Sequence, residues 1–309
     1  MRTKKSEPAR TVGMIGLGIM GGAMARNLVK AGFRVVGSDV RAEARAALKR
    51  AGGTVARSNT EVAHSAAIVI TSLPTVAVLE HVTEELSASG RKGLIVIETS
   101  TMPLEVREAA RVRLADKGIT LLDCPLSGTG AQARTRDLAV LASGPRAAVM
   151  KCVPVFNGFA RSHHYLGAFG NGTRMKLAAN LLVAIHNVAA AEAMTFVRKA
   201  GLDPATALRV LSDGAGDSRM LQVRGPMMVS EDYSDATMKV EVWQKDMDII
   251  ARYAAKIGAP TPLLLASAPI YTAAIASGHA LQDTAVVCEV LGAMAGLKKK
   301  RKRNQENIK

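Results

Sequence analysis

Three glycines near the start of the chain have the spacing of a phosphate-binding turn. Gly16, Gly18 and Gly21 form the pattern G-x-G-x-x-G directly after a short apolar run at residues 12–15, and a helical pattern follows at residues 23–30. In such a turn the first glycine permits a tight bend, the second lets a pyrophosphate approach the backbone, and the third lets the helix pack closely on the sheet. The free N–H groups at the helix N-terminus then attract the phosphates.

Asp39 extends this pattern from a phosphate site to a site for a whole dinucleotide. A second strand is predicted at residues 34–37, and Asp39 follows it about 20 residues after the glycines, where a carboxylate can bind both hydroxyls of an adenosine ribose. Its charge repels a 2′-phosphate, so we predict NAD in preference to NADP, although the nearby Arg41 opposes this preference. The alternative is a glycine-rich turn of an ordinary α/β protein, with Asp39 as a solvated loop acid. The predicted cofactor contacts in the turn are Gly16, Leu17, Gly18, Ile19, Met20 and Gly21.

Two later segments carry polar groups that could act on a substrate. Ser127 and Gly128 follow a predicted strand, and a hydroxyl beside backbone N–H groups can anchor a carboxylate. Lys176 and Asn180 are spaced i and i+4, which places them on one face of a predicted helix. A lysine beside a cationic group or in a partly dry cleft has a lowered pKa and can exchange protons near neutral pH. A lone lysine is otherwise a surface charge, but the apolar character of this helix favours a buried face.

The elements that must position these residues begin with alternating strands and helices. Strands are predicted at residues 12–15, 34–37, 67–72, 93–98, 120–123 and 138–141, and helices at 23–30, 43–51, 60–65, 76–85 and 103–117. The third and fourth of these strands are almost wholly apolar, as parallel strands buried on both faces require. The alternation predicts a doubly wound parallel sheet with ligands at the carboxyl ends of its strands, where Leu73, Pro74 and Thr101 lie. These three residues either cap loops or contact a ligand.

From Gly172 onward, alanine-rich helical segments replace the apolar strands. Helices are predicted at residues 175–200, 204–212, 218–229, 238–257, 262–277 and 282–296. The predicted fold class is therefore α/β, an N-terminal Rossmann-type doubly wound sheet followed by an all-α domain. We predict a dinucleotide-binding domain at residues 1–170, an all-helical domain at 171–297, and a basic, disordered tail at 298–309.

Composition limits the classes of function that the chain can have. Its 309 residues are 48% hydrophobic, enough for two domains without metals or disulfides, and its three cysteines lack metal-ligand spacing. We therefore expect no metal site and a reducing, cytoplasmic location. The first ten residues lack the apolar core of a secretory signal, and no stretch is predicted to span a membrane.

The net charge is +15, and the run KKKRKR at residues 298–303 could bind nucleic acid or simply solvate the terminus. Since no aromatic residues interleave with it, we favour solvation and expect no nucleic-acid partner.

Four motifs, in order along almost the whole chain, resemble the β-hydroxyacid dehydrogenase family. They are GLGIMGGAMARNLVKAG at residues 16–32, DCPLSGTGAQARTRDL at 123–138, GNGTRMKLAAN at 170–180, and the pair Lys245-Asp246 within WQKDMDII. The family contains 3-hydroxyisobutyrate dehydrogenase, tartronate semialdehyde reductase and L-threonate dehydrogenase. The resemblance implies hydride transfer between a nicotinamide and the carbinol carbon of a small β-hydroxyacid or sugar acid. It also implies pairing through the helical domain, so we expect a homodimer or homotetramer.

The resemblance further implies roles for residues that would meet the substrate. Lys176 would be the catalytic acid/base, and Asn180 would orient the substrate beside it. Ser127, Gly128 and Thr129 would hold the substrate carboxylate.

Residues at the cofactor also follow from the resemblance. Lys245 would close over the nicotinamide side, with Asp246 near the cofactor. Leu73, Pro74 and Thr101 would touch the cofactor as well.

The sequence departs from the family pattern at several positions. Thr129, Gln132 and Arg136 stand where relatives usually have glycine, Ala179 replaces a usual second asparagine, and the second motif continues into LAVLASG, which is closer to the L-threonate branch. These departures bear on the substrate rather than on the reaction type. Two alternatives are a decarboxylating dehydrogenase resembling 6-phosphogluconate dehydrogenase, whose helical domain is usually much longer, and a non-catalytic cofactor-binding scaffold that uses the basic tail.

Overall fold

The computed structural model describes residues 11–297, so the predicted tail at 298–309 lies outside the described part of the chain. The chain divides between Ala178 and Ala179 into two compact units, here called the first and the second unit. The division falls inside a helix and later than the domain boundary predicted after residue 170. The reason is that the first turns of this helix are hydrogen bonded to strand ends of the first unit, as detailed below.

A parallel sheet forms the centre of the first unit. Its six strands are β1 (Thr11–Ile15), β2 (Arg34–Ser38), β3 (Thr54–Val55), β4 (Ile68–Thr71), β5 (Ile95–Glu98) and β6 (Thr120–Asp123). Their order is β3-β2-β1-β4-β5-β6, and every neighbouring pair is parallel. The order reverses between β1 and β4, which is where such sheets bind ligands at their carboxyl ends. The predicted Rossmann-type sheet is confirmed.

Helices cover both faces of this sheet. They are α1 (Ile19–Lys30), α2 (Ala42–Arg50), α3 (Asn59–Ser65), α4 (Val76–Ala88) and α5 (Leu104–Ala115). Met24 and Leu28 of α1 belong to one apolar core, with Met14 of β1. The opposite face of the sheet contributes Ile15 to a second core, which α3, α4 and α5 complete. Because consecutive residues of β1 enter different cores, the strand has no polar face, as its sequence indicated.

A separate three-stranded sheet follows β6. It contains β7 (Leu126–Ser127), β8 (Ala139–Ala142) and β9 (Ser162–Tyr165), and the helices α6 (Gly130–Arg134) and α7 (Arg146–Phe159) lie between its strands in sequence. The strand predicted at residues 138–141 was expected to extend the main sheet, and that prediction is wrong. The chain bends at Gly128, whose φ is +133°, and β8 returns antiparallel to β7 instead.

The described part of the second unit is helical, as predicted. The long helix α8 (Asn171–Lys199) leads from the first unit into it, and α9 (Pro204–Asp213), α10 (Arg219–Ser230), α11 (Val240–Lys256) and α12 (Pro262–Ala276) follow. The helix predicted at 282–296 is instead a 3₁₀ turn at Thr284–Val286 and the helix α13 (Val287–Met294). The side chain of Asp283 caps this 3₁₀ turn by accepting a hydrogen bond from the backbone of Ala285.

By length and composition alone, α8 is long and apolar enough to cross a membrane. Within the second unit, however, its Asn180 and Asn187 side chains are buried and hydrogen bonded to Asp246 and Tyr271. Polar side chains that are buried against other helices of the same unit are typical of a core helix.

Candidate active site

The glycine turn between β1 and α1 has the shape of a phosphate cradle. Gly16 has a φ of +87°, and a Cβ there would lie 2.2 Å from the carbonyl oxygen of Ser72. A Cβ at Gly21 would lie 2.0 Å from the carbonyl oxygen of Gly16, so α1 can approach the turn only because Gly21 has no side chain. At Gly18 an added Cβ would meet only Arg41 Nη2, at 3.5 Å, and no side chain caps the N-terminus of α1. Bare backbone with available N–H groups suits a pyrophosphate.

Asp39 follows β2 and is tied to this turn. Its Oδ2 accepts hydrogen bonds from the backbone N–H of Leu17 at 2.7 Å and from Arg41 Nη2 at 3.1 Å, while Oδ1 accepts from Arg41 N and Nε. Burial disfavours the charged carboxylate, but the bonds and charge of Arg41 outweigh this and hold the pKa of Asp39 below its ordinary value. The Asp39 side chain is only 7% exposed and that of Arg41 is 57% exposed. Ribose hydroxyls can therefore reach Asp39 only after Arg41 moves aside.

The loops after β4 and β5 lie together beside the turn. The backbone N–H of Leu73 donates to Ser100 Oγ at 2.8 Å, which ties the two loops to each other. Leu73 is buried, Pro74 is exposed and Thr101 is half-buried. The fold thus places these predicted cofactor residues and the glycine turn at the carboxyl ends of adjacent strands.

The loop that carries the predicted carboxylate anchor is fastened to α1. The side chain of Asn27 donates to the carbonyl oxygen of Ala133 at 2.7 Å, and a Cβ at Gly130 would lie 2.5 Å from Cγ2 of Ile19. Ile19 is exposed next to the turn, Leu17 is buried, and Met20 is half-buried. The anchor loop and the cofactor turn therefore share one region of the first unit.

Within the anchor loop, Ser127, Gly128 and Thr129 are all half-buried. The side chain of Gln132 accepts from the backbone N–H of Thr129 at 3.0 Å and donates to Asp137 at 3.0 Å. Gln132 therefore stabilises the loop.

Arg136 is likewise engaged outside the anchor. Its guanidinium donates to the carbonyl oxygen of Asn157 at 2.5 Å. Gln132 and Arg136, two of the departures from the family pattern, thus both have local partners in the structure.

Lys176 is half-buried in the first turns of α8. A Cβ at Gly172 would lie 2.4 Å from the carbonyl oxygen of Leu141 and 2.7 Å from that of Asp123. The start of α8 can therefore pack directly on the ends of β6 and β8. Pro125 Cδ lies 3.0 Å from the same added Cβ, so the first turn of α8 packs against the residues that immediately precede Ser127.

The remaining predicted residues meet in the second unit. Asn180 is buried, and its Nδ2 donates to Asp246 Oδ2 at 3.0 Å. Nζ of Lys245 lies 3.8 Å from Asp246 Oδ1, and the Lys245 side chain is partly exposed. Asp246 thus fixes the Asn180 amide, a role that the sequence did not indicate because 66 residues separate the two.

No group of histidine, cysteine, aspartate or glutamate side chains within residues 11–297 could hold a metal ion. Cys124, Cys152 and Cys288 are buried free thiols. Burial raises the pKa of Cys152 to about 12, so this thiol is inert near neutral pH.

Comparisons with known proteins agree with the fold and with these site elements. Residues 11–167 match the NAD binding domain of 6-phosphogluconate dehydrogenase, and residues 170–291 match the family described as NAD-binding of NADP-dependent 3-hydroxyisobutyrate dehydrogenase. Together with the sheet order and the glycine turn, they define an NAD(P)-dependent oxidoreductase.

Individual relatives narrow the class. L-threonate dehydrogenase of Cupriavidus necator is 32% identical over 286 residues, covering 91% of this chain and 96% of the relative. 2-Hydroxy-3-oxopropionate reductase of Escherichia coli K12 is 28% identical, covering 93% and 99%. A crystal structure of 3-hydroxyisobutyrate dehydrogenase from Salmonella typhimurium superposes with a TM-score of 0.82 at 28% identity, covering 91% and 99%. The chain belongs to the β-hydroxyacid dehydrogenase family, as its motifs predicted. A hydroxyacid dehydrogenase is thus favoured over both alternatives, the decarboxylating dehydrogenase and the non-catalytic scaffold.

Proposed function

We propose that the protein interconverts a small polyhydroxylated carboxylate of the L-threonate kind and its keto form, with NAD as the preferred cofactor. The observation that carries this proposal is the packing of the first turn of α8, which leads to Lys176, against Asp123 and Pro125, which lead to Ser127. A lysine near a carboxylate anchor can serve a hydroxyacid, whereas a neutral alcohol has no use for the anchor. The similarity to an L-threonate dehydrogenase supports a sugar acid as the substrate.

In this proposal each group of the chain has a defined task. The backbone at Gly18 and the N-terminus of α1 would hold the pyrophosphate, and Asp39 would bind the adenosine ribose. When bound, the nicotinamide accepts or donates the hydride. Ser127 and Gly128 would bind the substrate carboxylate through a hydroxyl and an N–H.

The proton is the part of the reaction that the chain itself must manage. An alkoxide is far too basic to form at neutral pH, so the hydroxyl proton must leave as the hydride departs. Lys176 Nζ would accept that proton during oxidation and return it during reduction. Asn180, held by Asp246, would orient the substrate oxygen.

The preference for NAD rests on Asp39, because an anionic side chain at the ribose repels a 2′-phosphate. Arg41 reduces this repulsion as long as it stays paired with Asp39. We also propose a cytoplasmic homodimer or homotetramer. This assembly is supported by exposed apolar side chains on helices of the second unit, among them Leu182, Phe196 and Leu263.

The direct test is a turnover screen of the purified protein with NAD and with NADP. It would include L-threonate, 3-hydroxyisobutyrate, tartronate semialdehyde in the reductive direction, 6-phosphogluconate and neutral alcohols. We expect oxidation of L-threonate or a closely similar sugar acid. Turnover of neutral alcohols alone, or release of CO₂ from 6-phosphogluconate as the principal reaction, would reject the proposal.

A further inference from the structure

Three ionisable side chains are completely buried next to the loops of the predicted active site. Glu98 ends β5, Asp123 ends β6, and Arg107 projects from α5, each with 0% of its side chain exposed. The Arg107 guanidinium is paired with the Asp123 carboxylate, and its Nη2 lies 3.6 Å from Glu98 Oε2. Removing such ionisable groups from water is costly, and the attraction between Arg107 and Asp123 repays that cost only with good geometry. Because none of the three side chains is exposed, the cluster does not present itself to a ligand, and its role must lie in the contacts it makes within the protein.

Asp123 is the centre of this cluster. Its Oδ1 accepts from Arg107 Nη1 and from Thr173 Oγ1 at 2.8 Å. Its Oδ2 accepts from Ser143 Oγ at 3.0 Å and from the backbone N–H of Thr173 at 2.8 Å. One carboxylate thus ties together α5, the end of β8 and the start of α8.

The bonds to α8 are those of a helix cap. Gly170, which precedes the helix, has no side chain with which to satisfy the free N–H groups of the first turn. The N–H of Gly172 instead donates to Ser143 Oγ at 2.9 Å, and that of Thr173 donates to Asp123. Lys176 follows Thr173 by three residues, so the two lie one turn apart on the same face. A shift of the capped turn would move Lys176 with it.

The same cluster also holds the loops on the cofactor side. Arg107 Nη2 donates to the carbonyl oxygen of Ser100, and the N–H of Ser100 donates to Glu98 Oε1 at 2.7 Å. Ser100 Oγ in turn accepts from the N–H of Leu73. A continuous set of buried bonds therefore runs from the predicted cofactor loops to the turn that carries the lysine.

We propose that Asp123 is a positioning residue that fixes Lys176 relative to the cofactor loops by capping α8. The inference rests on the proposed function, in which Lys176 is the acid/base. It also explains why the group must be a carboxylate. Two donors that cannot reorient, Arg107 Nη1 and the N–H of Thr173, point at different oxygens. An asparagine in either orientation would turn its NH₂ group toward one of these donors.

The test compares Thr173→Val, which removes one cap bond at nearly constant volume, with Thr173→Ser, which keeps the hydroxyl. Thr83→Val is the matched control, because Thr83 is a buried threonine of α4 whose hydroxyl donates to the carbonyl oxygen of Leu79 in its own helix. We expect kcat to fall about tenfold in Thr173→Val and about 10²-fold in Asp123→Asn, as misplaced catalytic groups typically show. Thr173→Ser and Thr83→Val should stay within about twofold of the wild type. NADH affinity, measured by fluorescence titration, should stay unchanged in the three threonine variants.

Two readouts separate positioning from a general loss of folded enzyme. When a step other than hydride transfer limits the wild type, a misplaced Lys176 raises the deuterium isotope effect on kcat for substrate labelled at the carbinol carbon towards its intrinsic value, whereas a smaller active fraction leaves it unchanged. Amide hydrogen exchange at residues 172–176 should quicken in Thr173→Val and Asp123→Asn but not in Thr83→Val. An unchanged exchange rate or an unchanged kcat in Thr173→Val would overturn the inference.

The exchange measurement also keeps this inference distinct from the proposed function. If the wild type turned over no hydroxyacid, the proposed function would fail, while exchange would still decide whether Asp123 caps α8. Ser143→Ala, which removes the second cap bond, would replace Asp123→Asn if that variant did not fold, and the same outcomes would decide.

Discussion

Lys176 is the residue on which the proposed proton transfer depends. General acid–base assistance is typically worth about 10²–10⁴-fold, so Lys176→Ala is expected to lower kcat by about that factor. NADH affinity should change little, because the phosphates would be held at Gly16, Gly18 and Gly21. Lys176→Arg should be almost as slow, since a guanidinium does not give up its proton. Steady-state kinetics with an NADH titration would measure both effects.

The neighbouring Arg174 supplies a matched control for this experiment. It is exposed two residues away, and its guanidinium donates to Asn171 Oδ1 at 2.7 Å. Arg174→Ala removes a similar cationic side chain from the same helix and should retain near-wild-type turnover. If Lys176→Ala behaved like Arg174→Ala, the lysine would be a surface charge and the mechanism would be rejected.

The choice between NAD and NADP is expected to depend on the pair Asp39 and Arg41. Asp39→Ala should narrow the preference for NAD, because the charge that repels a 2′-phosphate is lost. Arg41→Ala should widen the preference by freeing the carboxylate, with a change of about tenfold for one charged hydrogen bond. The ratio of kcat/KM values for the two cofactors measures both shifts. A wild type that used NADP as well as NAD, or a narrower preference in Arg41→Ala, would contradict this account.

The positions of residues were predictable where local spacing determines them. The glycine spacing and Asp39 are features of one strand–helix–strand unit, and the structure places them as the sequence indicated. The pairing of Asn180 with Asp246 and the cluster around Arg107 join residues that are distant in sequence. Only the packing of helices and strands brings those residues together, so spacing along the chain gave no signal for them.

The contact between α1 and the glycine turn gives a prediction for a whole element. A Cβ at Gly21 would lie 2.0 Å from the carbonyl oxygen of Gly16, so Gly21→Ala must displace α1 from the turn. We expect NAD and NADH to bind at least about tenfold more weakly, because the N–H groups that would hold the pyrophosphate move with the helix. Isothermal titration calorimetry would measure the loss.

Gly292 in α13 is the matched control for Gly21. A Cβ there would meet its nearest atom outside the local backbone at 3.9 Å, which is ordinary contact. Gly292→Ala should therefore leave cofactor affinity at the wild-type value. Equal affinities of Gly21→Ala and the wild type would show that this turn does not hold the cofactor.

Elements with a strong apolar period were predicted from sequence, and short or interrupted ones were not. Central strands of the main sheet carry apolar runs, such as residues 68–70 in β4 and 95–97 in β5, which makes them visible. Helix α7 contains Pro154, a residue that ordinarily ends a helix, and β9 has the sequence SHHY with no apolar alternation. The start of α8 at Asn171 was also missed, because its cap comes from Asp123 and Ser143 rather than from an adjacent residue.

At the scale of the whole molecule, each unit contains a buried carboxylate that gathers several elements. In the second unit this is Asp283, which is fully buried. It accepts from Arg224 Nε at 3.2 Å and from the backbone N–H groups of Thr237, Met238 and Ala285 at 2.8, 3.1 and 3.0 Å. Asp283 thus joins α10 to the loop before α11 and to the 3₁₀ turn before α13.

This arrangement predicts that the second unit is sensitive to acid. Burial disfavours the charged form of Asp283, but Arg224 and the N–H donors outweigh it and keep the pKa of Asp283 below its ordinary value. As the pH falls, the unfolded chain therefore takes up this proton before the folded protein does. The stability that the carboxylate contributes is present above the ordinary aspartate pKa of about 3.9 and is lost as the pH falls through the lower folded-state value.

Asp283→Asn should remove this contribution at every pH. The variant leaves Arg224 buried without its charge partner, which typically costs about 3–5 kcal/mol of folding stability. The Tm of the variant should also vary less between pH 5 and pH 3 than the Tm of the wild type.

Asp203→Asn is the control: the pKa of Asp203 is also lowered, by its hydrogen bonds to Thr206, but Asp203 is exposed at the start of α9. Since solvent screens an exposed carboxylate, Asp203→Asn should lose much less stability than Asp283→Asn. Thermal unfolding of the wild type and both variants across this pH range measures the difference. If Asp283→Asn retained the wild-type dependence of Tm on pH, the acid sensitivity would have to arise from other carboxylates.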